Sequence, residues 1–521
     1  MRPARALLRW GREGRWARAL ARRGVVPLGT VAVLLLVAAV AAARPGGGQS
    51  FGGGSSGGSS GGGGGGGDCG AVIDIALFLI TLTIEHPAIG IPVDIAVVVG
   101  FVAYLAYSSR DKKDKDWSTK TAAAARSHVT GGRPSVVRKA LFTAVSRTDP
   151  EFSLVLFEDF VYALFTAVHD ARGKRRTALL TPYLNEAVLE RLQASAGGEV
   201  RSVAIGALRY AGMLPPDGGA RVAVTLEFEA NYTELERTGA AQAYYVVERW
   251  TLSRSREARS RKPESAQVIG CPNCGAPLDK IFESKCSFCS KIVHPGVFDW
   301  VVDAREELEK TPRPPQLTGD TEERGTGLPT VTDPDVSARF QALARKDPSF
   351  TWQVLSSRLA LIFAELQVAW STLEWDKARP FVSDSLFQML SYWIETYRRA
   401  GMRNVTERPR ITHLMIASVI SDKYYDAVTV RVYATGLDYT ITNDGKVVSG
   451  SRTQERRYSE YWTLIRGTGA KTPQGTGKEC PNCGAPLEVN MTGNCTSCRV
   501  KVTSGEFDWV LSRIEQDEAY G

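Results

Sequence analysis

The chain writes one cysteine device twice. "CPNCGAPL" occurs at Cys271–Leu278 and again at Cys480–Leu487, followed by "CSFC" at Cys286–Cys289 and "CTSC" at Cys495–Cys498. Both copies read C-x2-C-x11-C-x2-C. Two residues between cysteines let both sulfurs of a pair reach one ion, and two such knuckles complete a tetrahedral four-thiolate site. The expected ligands are Cys271, Cys274, Cys286 and Cys289 in one cluster, and Cys480, Cys483, Cys495 and Cys498 in the other. Gly275 and Gly484 follow the second cysteine, where a positive φ aims N–H groups at sulfur. Four thiolates leave no open coordination position, so two structural zinc ions are expected, each in a ribbon that locks a small hairpin. Thiolates persist best in a reducing compartment, which points both clusters toward a cytoplasm.

The copying extends well beyond the cysteines. "RTDPEFSLVLFEDF" at Arg147–Phe160 parallels "RKDPSFTWQVLSSR" at Arg345–Arg358, and "VERWTLSR" at Val247–Arg254 parallels "SEYWTLIR" at Ser459–Arg466. "FDWVVDAREELE" at Phe298 returns as "FDWVLSRIEQDE" at Phe507, with the 209-residue offset of the clusters. The chain therefore carries two copies of one module. In each, Asp-Pro (Asp149-Pro150, Asp347-Pro348) reads as a helix N-cap with Pro at the first helical position. Phe157, Phe160, Val161, Leu164 and Val168 then recur at helical spacing, as do Trp352, Leu355, Leu359, Ile362, Leu366 and Trp370. A shorter helix follows, around "PYLNEAVLERLQA" and "SDSLFQMLSYWIETY". Next, "RVAVTLEFEA" at Arg221–Ala230 and "AVTVRVYA" at Ala427–Ala434 alternate with period two, the pattern of a sheet covered on one side. Helices followed by antiparallel strands give an α+β class. A helix opening on "FDW" after each ribbon would pack it back through Phe298 and Trp300, or Phe507 and Trp509.

The N-terminal part reads as a membrane segment. The first 23 residues hold eight Arg and one Glu. Val25–Ala43 then runs 19 residues without a charge, enough to span a bilayer, while "AVAAARP" also suits cleavage after Ala43. A cleaved signal and an uncleaved anchor both stay open. Gly46–Gly67 has almost nothing to bury and reads as a flexible coil. Ala71–Ile84, only 14 residues with Asp74 inside, suggests an interfacial or re-entrant helix, and Ile89–Tyr107 the single span. Lys112, Lys113 and Lys115 would hold the rest of the chain in the cytoplasm; if both segments cross, the modules face the other side. The net charge of +8 belongs almost entirely to the start, because the other 498 residues carry 56 basic against 55 acidic side chains. That balance argues against a nucleic-acid partner.

The resulting boundaries are residues 1–43 for the signal or anchor, 44–70 for the glycine linker, 71–107 for the membrane segment and 108–132 for a charged linker. Module one is 133–265, its ribbon and "FDW" helix 266–310, and a Pro/Gly/Thr-rich linker 311–334. Module two is 335–475, with its ribbon and "FDW" helix over 476–521.

No catalytic constellation stands out. The five histidines, His86, His128, His169, His294 and His413, form no HExxH and none recurs in both modules, so each reads as an ordinary surface or core residue. "GTGAKT" and "GTGKE" fall short of a phosphate loop. One pair is of more interest: strand alternation puts Glu248 on the face of Trp250, and Glu460 on that of Trp462. On an inner face such a carboxylate would sit in an apolar cleft with a raised pKa; at a rim, or beside an arginine, it would be structural.

The ordered set of motifs resembles a family. A glycine tract between two apolar segments, "HPAIGIP" leading into a span, a helical "DPEF" start and an "ExWTL" strand are similar to bacterial membrane-anchored proteins with Tim44-like domains, some of which carry a zinc ribbon. The resemblance covers about Arg133–Arg254 and Asp335–Arg466. It implies two tandem nuclear-transport-factor-two-like modules, each a curved antiparallel sheet wrapped by helices around a large apolar pocket. It also implies attachment to the bacterial inner (cytoplasmic) membrane and a binding or tethering role linked to protein transport, with a polypeptide or lipid as ligand. An enzyme using Glu248 and Glu460 as acids, and a membrane-tethered nucleic-acid binder using the ribbons, are the alternatives.

Overall fold

The computed structural model describes residues 134–195, 198–213, 219–235, 239–263, 269–312, 325–473 and 477–520. The Arg-rich start, the glycine tract and both apolar segments lie outside the described residues. Among the described residues no helix is long and apolar enough to cross a membrane.

Module one opens with α1 (Pro134–Ser146) and α2 (Leu154–Gly173), then a 3-10 turn (Thr177–Leu180) and α3 (Glu186–Ala194). Three long strands follow: β1 (Glu199–Met213), β2 (Arg221–Leu235) and β3 (Ala241–Ser255). The cysteine segment contributes a small hairpin of β4 (Ile281–Phe282) and β5 (Lys285–Cys286). The chain then returns to the main sheet as β6 (Val301–Pro312), antiparallel to β3, giving the order β1-β2-β3-β6. Module two repeats this plan with α4 (Val336–Lys346), α5 (Trp352–Thr372), a 3-10 turn (Trp375–Phe381) and α6 (Asp384–Arg399). Its sheet runs β7 (Met402–Ser421), β8 (Tyr425–Thr442), β9 (Val447–Gly467) and β10 (Val510–Gln516), and α7 (Asp517–Tyr520) ends the chain. Both modules are helices packed on one face of an antiparallel sheet, the α+β class.

Three local expectations are corrected. The segment after each "FDW" is a strand, not a helix. "VVDAREELEKTP" is rich in helix formers, but Val301 and Val302 enter the core and the backbone of β6 saturates the open edge of β3. Pairing outweighs propensity there. Each ribbon is therefore an insertion between the third and fourth strands of its sheet. Second, the Asp-Pro pairs do not N-cap the helices that follow them. They make a turn, with the Phe152 N–H donating to Asp149 O (3.1 Å) and Phe350 N–H to Asp347 O (2.8 Å). The caps are Ser153 and Thr351, whose hydroxyls accept from Leu156 N (3.4 Å) and Val354 N (3.2 Å). Third, the linker is structured from Gly325: Arg431 donates to the carbonyls of Gly325 and Leu328 (both 2.8 Å), laying that stretch on the outer face of sheet two.

The apolar periodicity fills each module. Val222, Val224, Leu226 and Phe228 of β2 meet Phe157, Val161, Leu164 and Val168 of α2 in one core. Leu355, Leu359, Ile362 and Leu366 of α5 meet Val428, Val430 and Val432 of β8 in the other. The modules also pack on each other. Val155 and Leu156 of α2 join Tyr425, Ile465 and Val510 of module two. Beside them, buried Glu158 accepts from Arg138 Nη2 (3.1 Å) and Tyr210 (2.7 Å) of module one and from Arg513 Nη1 (3.0 Å) of module two. A carboxylate with three donors in a dry interface fixes one mutual arrangement of the two copies.

Candidate metal centres and the sealed Glu–Trp sites

The two ribbons fold alike. The Cys271 N–H donates to Ala276 O (2.6 Å) and Gly275 N–H to Cys271 O (2.8 Å); in ribbon two Cys480 N–H donates to Ala485 O (2.7 Å) and Gly484 N–H to Cys480 O (2.8 Å). Gly275 and Gly484 have φ of +80° and +72°, as the tight first knuckle requires. The second knuckles turn at Ser290 and Arg499 in the same left-handed region, which the sequence does not signal. The Sγ atoms of Cys271 and Cys289, and of Cys274 and Cys286, lie 3.9 Å apart. The corresponding separations in ribbon two are 3.8 Å for Cys480–Cys498 and 4.0 Å for Cys483–Cys495. A tetrahedral ion with metal–sulfur bonds of about 2.3 Å needs sulfur–sulfur edges of about 3.8 Å. All eight cysteines named from the sequence thus converge on two four-sulfur sites that can hold a metal ion.

The ribbons are held differently. Ribbon one leans on module one through Tyr183, which donates to Gly270 O (2.6 Å), and through Arg261 and Asp299 (2.9 Å). Ribbon two is pinned at its tip. Arg379 donates to Met491 O (3.0 Å), Thr503 donates to Asp384 (3.1 Å), and Lys501 and Arg379 both pair with Asp384. Where ribbon two has Lys501, ribbon one has Ile292, and the positions matching Arg379 and Asp384 are Thr181 and Glu186.

The repeated "DP", "WTLxR" and "FDW" motifs meet at one place. Arg254 donates to Asp149 (2.6 Å), which also accepts from Ser260 N (2.9 Å) and Ser260 Oγ (2.7 Å). Arg466 donates to Asp347 (2.9 Å), which accepts from Thr472 N (2.9 Å) and Thr472 Oγ1 (2.7 Å). The Arg254 guanidinium lies 5.6 Å from the Phe152 ring centre and 5.4 Å from that of Trp300; Arg466 lies 5.2 Å from Phe350 and 4.7 Å from Trp509. Burial pushes both aspartates up, but these hydrogen bonds outweigh it and hold each below its ordinary value. The clamp ties the interhelical turn, the end of the third strand and the return from the ribbon. Its signal in the sequence was the recurrence of the same Asp and Arg in both copies.

Glu248, Trp250, Glu460 and Trp462 do lie on the inner faces, but no open cleft surrounds them: their exposures are 0, 0, 1 and 1%. The Phe165 ring centre stands 4.6 Å from Phe228 and 5.2 Å from Trp250, filling the space beside the carboxylate. Trp250 Nε1 donates to Glu248 Oε2 (2.8 Å), Arg305 Nε donates to the same oxygen (2.8 Å), and His169 Nε2 lies 3.3 Å from Oε1. Burial raises the Glu248 pKa, yet the charges and hydrogen bonds of His169 and Arg305 prevail and hold it well below the carboxylate range. The raised pKa of the open-cleft reading does not hold at Glu248, which lies on the inner face and also beside an arginine. His169, itself pushed down by burial, is a core residue beside this pair. In module two Trp462 Nε1 donates to Glu460 Oε2 (2.8 Å) and Gln516 donates to Oε1 (3.4 Å). That Arg305 and His169 meet Glu248 escaped the sequence reading, because they sit on β6 and α2, far from Glu248 in the chain.

Residues 336–474 match the Tim44-like domain family. This part of the chain is similar to Tim44-like domains. The match runs from the first residue of α4 through β9 and stops before ribbon two and β10. Module one shares the element order and sheet order of the module that contains the matched stretch. No curated protein matches the chain.

Proposed function

We propose that the chain is a membrane-anchored binding and scaffold protein, built from two Tim44-like modules of the nuclear-transport-factor-two-like kind and linked to protein transport or assembly at a bacterial inner membrane. The observation that carries this reading is the Tim44-like match over residues 336–474, since such domains are associated with membranes and protein partners. The charge-rich start and apolar segments of the sequence support the anchor. The interior carboxylate of module one is ionised, hydrogen-bonded and closed off from solvent, which favours binding over acid–base chemistry. A polypeptide or a lipid is then bound on the outside of the modules. Both four-sulfur sites hold structural zinc, and their role is to lock the third-to-fourth strand return.

Crosslinking in intact membranes followed by purification of the full chain should recover one stable envelope partner. A full chain that associates with neither membranes nor any envelope protein overturns the proposal. A reporter fused after Gly521 should act on the cytoplasmic side, and metal analysis should give two zinc per chain.

A further inference from the structure

The two ribbons share a backbone but not a surface. In ribbon one Phe282, Phe288, Ile292 and Val297 are 65, 68, 56 and 45% exposed. Phe282 pairs with Lys285 across β4–β5, and Lys285 bridges to Ile292 on its other side, so Phe282, Lys285 and Ile292 stand in one row. Lys280 and Lys291, both exposed, neighbour this row in sequence; the exposed acids of the hairpin are Glu283 and Asp279, the latter 3.5 Å from Lys280. The matching positions in ribbon two are Met491, Asn494, Ser497, Lys501 and Glu506, a single large apolar side chain among polar ones. There the tip is used internally, because Lys501 and the Met491 carbonyl are held by Asp384 and Arg379.

We infer that ribbon one is a membrane-contact element: its Phe282–Phe288–Ile292 tip inserts into the interface of the bilayer to which the chain's own apolar segments attach. This rests on the anchored reading above. Two features select a bilayer over a protein partner. The apolar groups project from a short hairpin and a metal knuckle rather than line a groove, and lysines are interleaved with them, where ammonium groups reach phosphate headgroups while the rings enter the acyl boundary. The bilayer is also within reach. Only 26 residues separate Tyr107, the end of the apolar stretch, from Pro134. A chain of that length spans at most roughly 90 Å, against a radius of gyration of about 14 Å expected for a domain the size of module one. Rigidity comes from the four-sulfur site and from the small apolar cluster of Cys271, Cys286 and Val293 around it.

The test uses the full chain reconstituted into phosphatidylcholine vesicles with and without phosphatidylglycerol, carrying benzoylphenylalanine at position 282, 292 or, as control, 491. Flotation with the vesicles reports the anchor independently of the ribbon. Irradiation should give lipid adducts at 282 and 292 several-fold above 491, rising with phosphatidylglycerol. With the photoreactive group at 288, F282S/I292S should lower the lipid adduct several-fold while two metal ions stay bound. A floating chain with no lipid adducts, or with equal yields at 282 and 491, overturns the inference and leaves the anchored reading standing. Adducts to a protein segment or a second copy overturn it in favour of that occupant. A chain that does not float overturns both.

Discussion

Module one and module two differ most where they are most deeply buried. Around Trp250, the interior holds Glu248, His169 and Arg305; around Trp462 it holds Glu460, with Gln367 at the place of His169 and Ile514 facing Trp462 where Arg305 faces Trp250. The Asp–Arg clamp, by contrast, is the same in both, down to the two aromatic rings that flank the guanidinium. The clamp joins three chain segments and has no apolar substitute of the same shape. The interior site also joins three segments, α2, β3 and β6, and there an ion pair in one copy is replaced by an amide and an aliphatic side chain in the other. The His169–Glu248–Arg305 arrangement is thus confined to one of the two modules.

That comparison can be tested in order of effect. Metal removal should do most, since structural thiolate sites contribute apparent binding energies of about 10–16 kcal/mol to folding. Cys480→Ser should lower the melting temperature of the chain more than Cys271→Ser, because only ribbon two is pinned to its module by the Asp384 cluster; equal shifts in calorimetry would contradict the difference in docking. Next, Arg254→Leu and Arg466→Leu each leave a buried aspartate unpaired and should each cost about 3–5 kcal/mol in chemical denaturation. A large gap between the two would mean that the clamp is not equivalent in the copies.

A smaller effect should separate the copies. Glu248→Gln removes the charge that faces Arg305 and should cost about 2 kcal/mol, against less than about 1 kcal/mol for Glu460→Gln. Because the Glu248 pKa is depressed on folding, its contribution is present above the ordinary value of 4.5 and is lost as the pH falls toward the native value. Glu248→Gln should therefore flatten the acid limb of the stability curve, and retained function of both glutamine variants in cells would remove the acid-catalysis alternative. A further pH effect lies between the modules. Asp159 accepts from Ser385 (2.8 Å), and burial pushes its pKa up from 3.8 to about 6. A raised carboxyl pKa means stability falls as pH rises from about 4 to 6. Asp159→Asn should abolish that slope; a slope that persists would place its origin elsewhere.

Much of this was legible in the sequence. The eight cysteines, their spacing and the glycines that turn the first knuckles are local facts, because a four-thiolate site is written within about twenty residues. The helical and alternating patterns are equally local, and they located α2, α5, β2 and β8. The segments after "FDW" misled because helix propensity is also local, whereas the vacant edge of the third strand that captured them is not. Asp149 failed as a cap for the same reason: its partner Arg254 is 105 residues away.

By itself, then, the sequence determined two modules, their α+β class and two four-cysteine sites. Only the tertiary structure decided that the ribbons interrupt a sheet instead of following it, that the glutamates beside Trp250 and Trp462 are sealed, and that Glu158 joins the modules through Arg513. Each of those depends on which groups are left without water or a partner once distant segments meet, and desolvation is a property of the assembled core that no short stretch of chain carries.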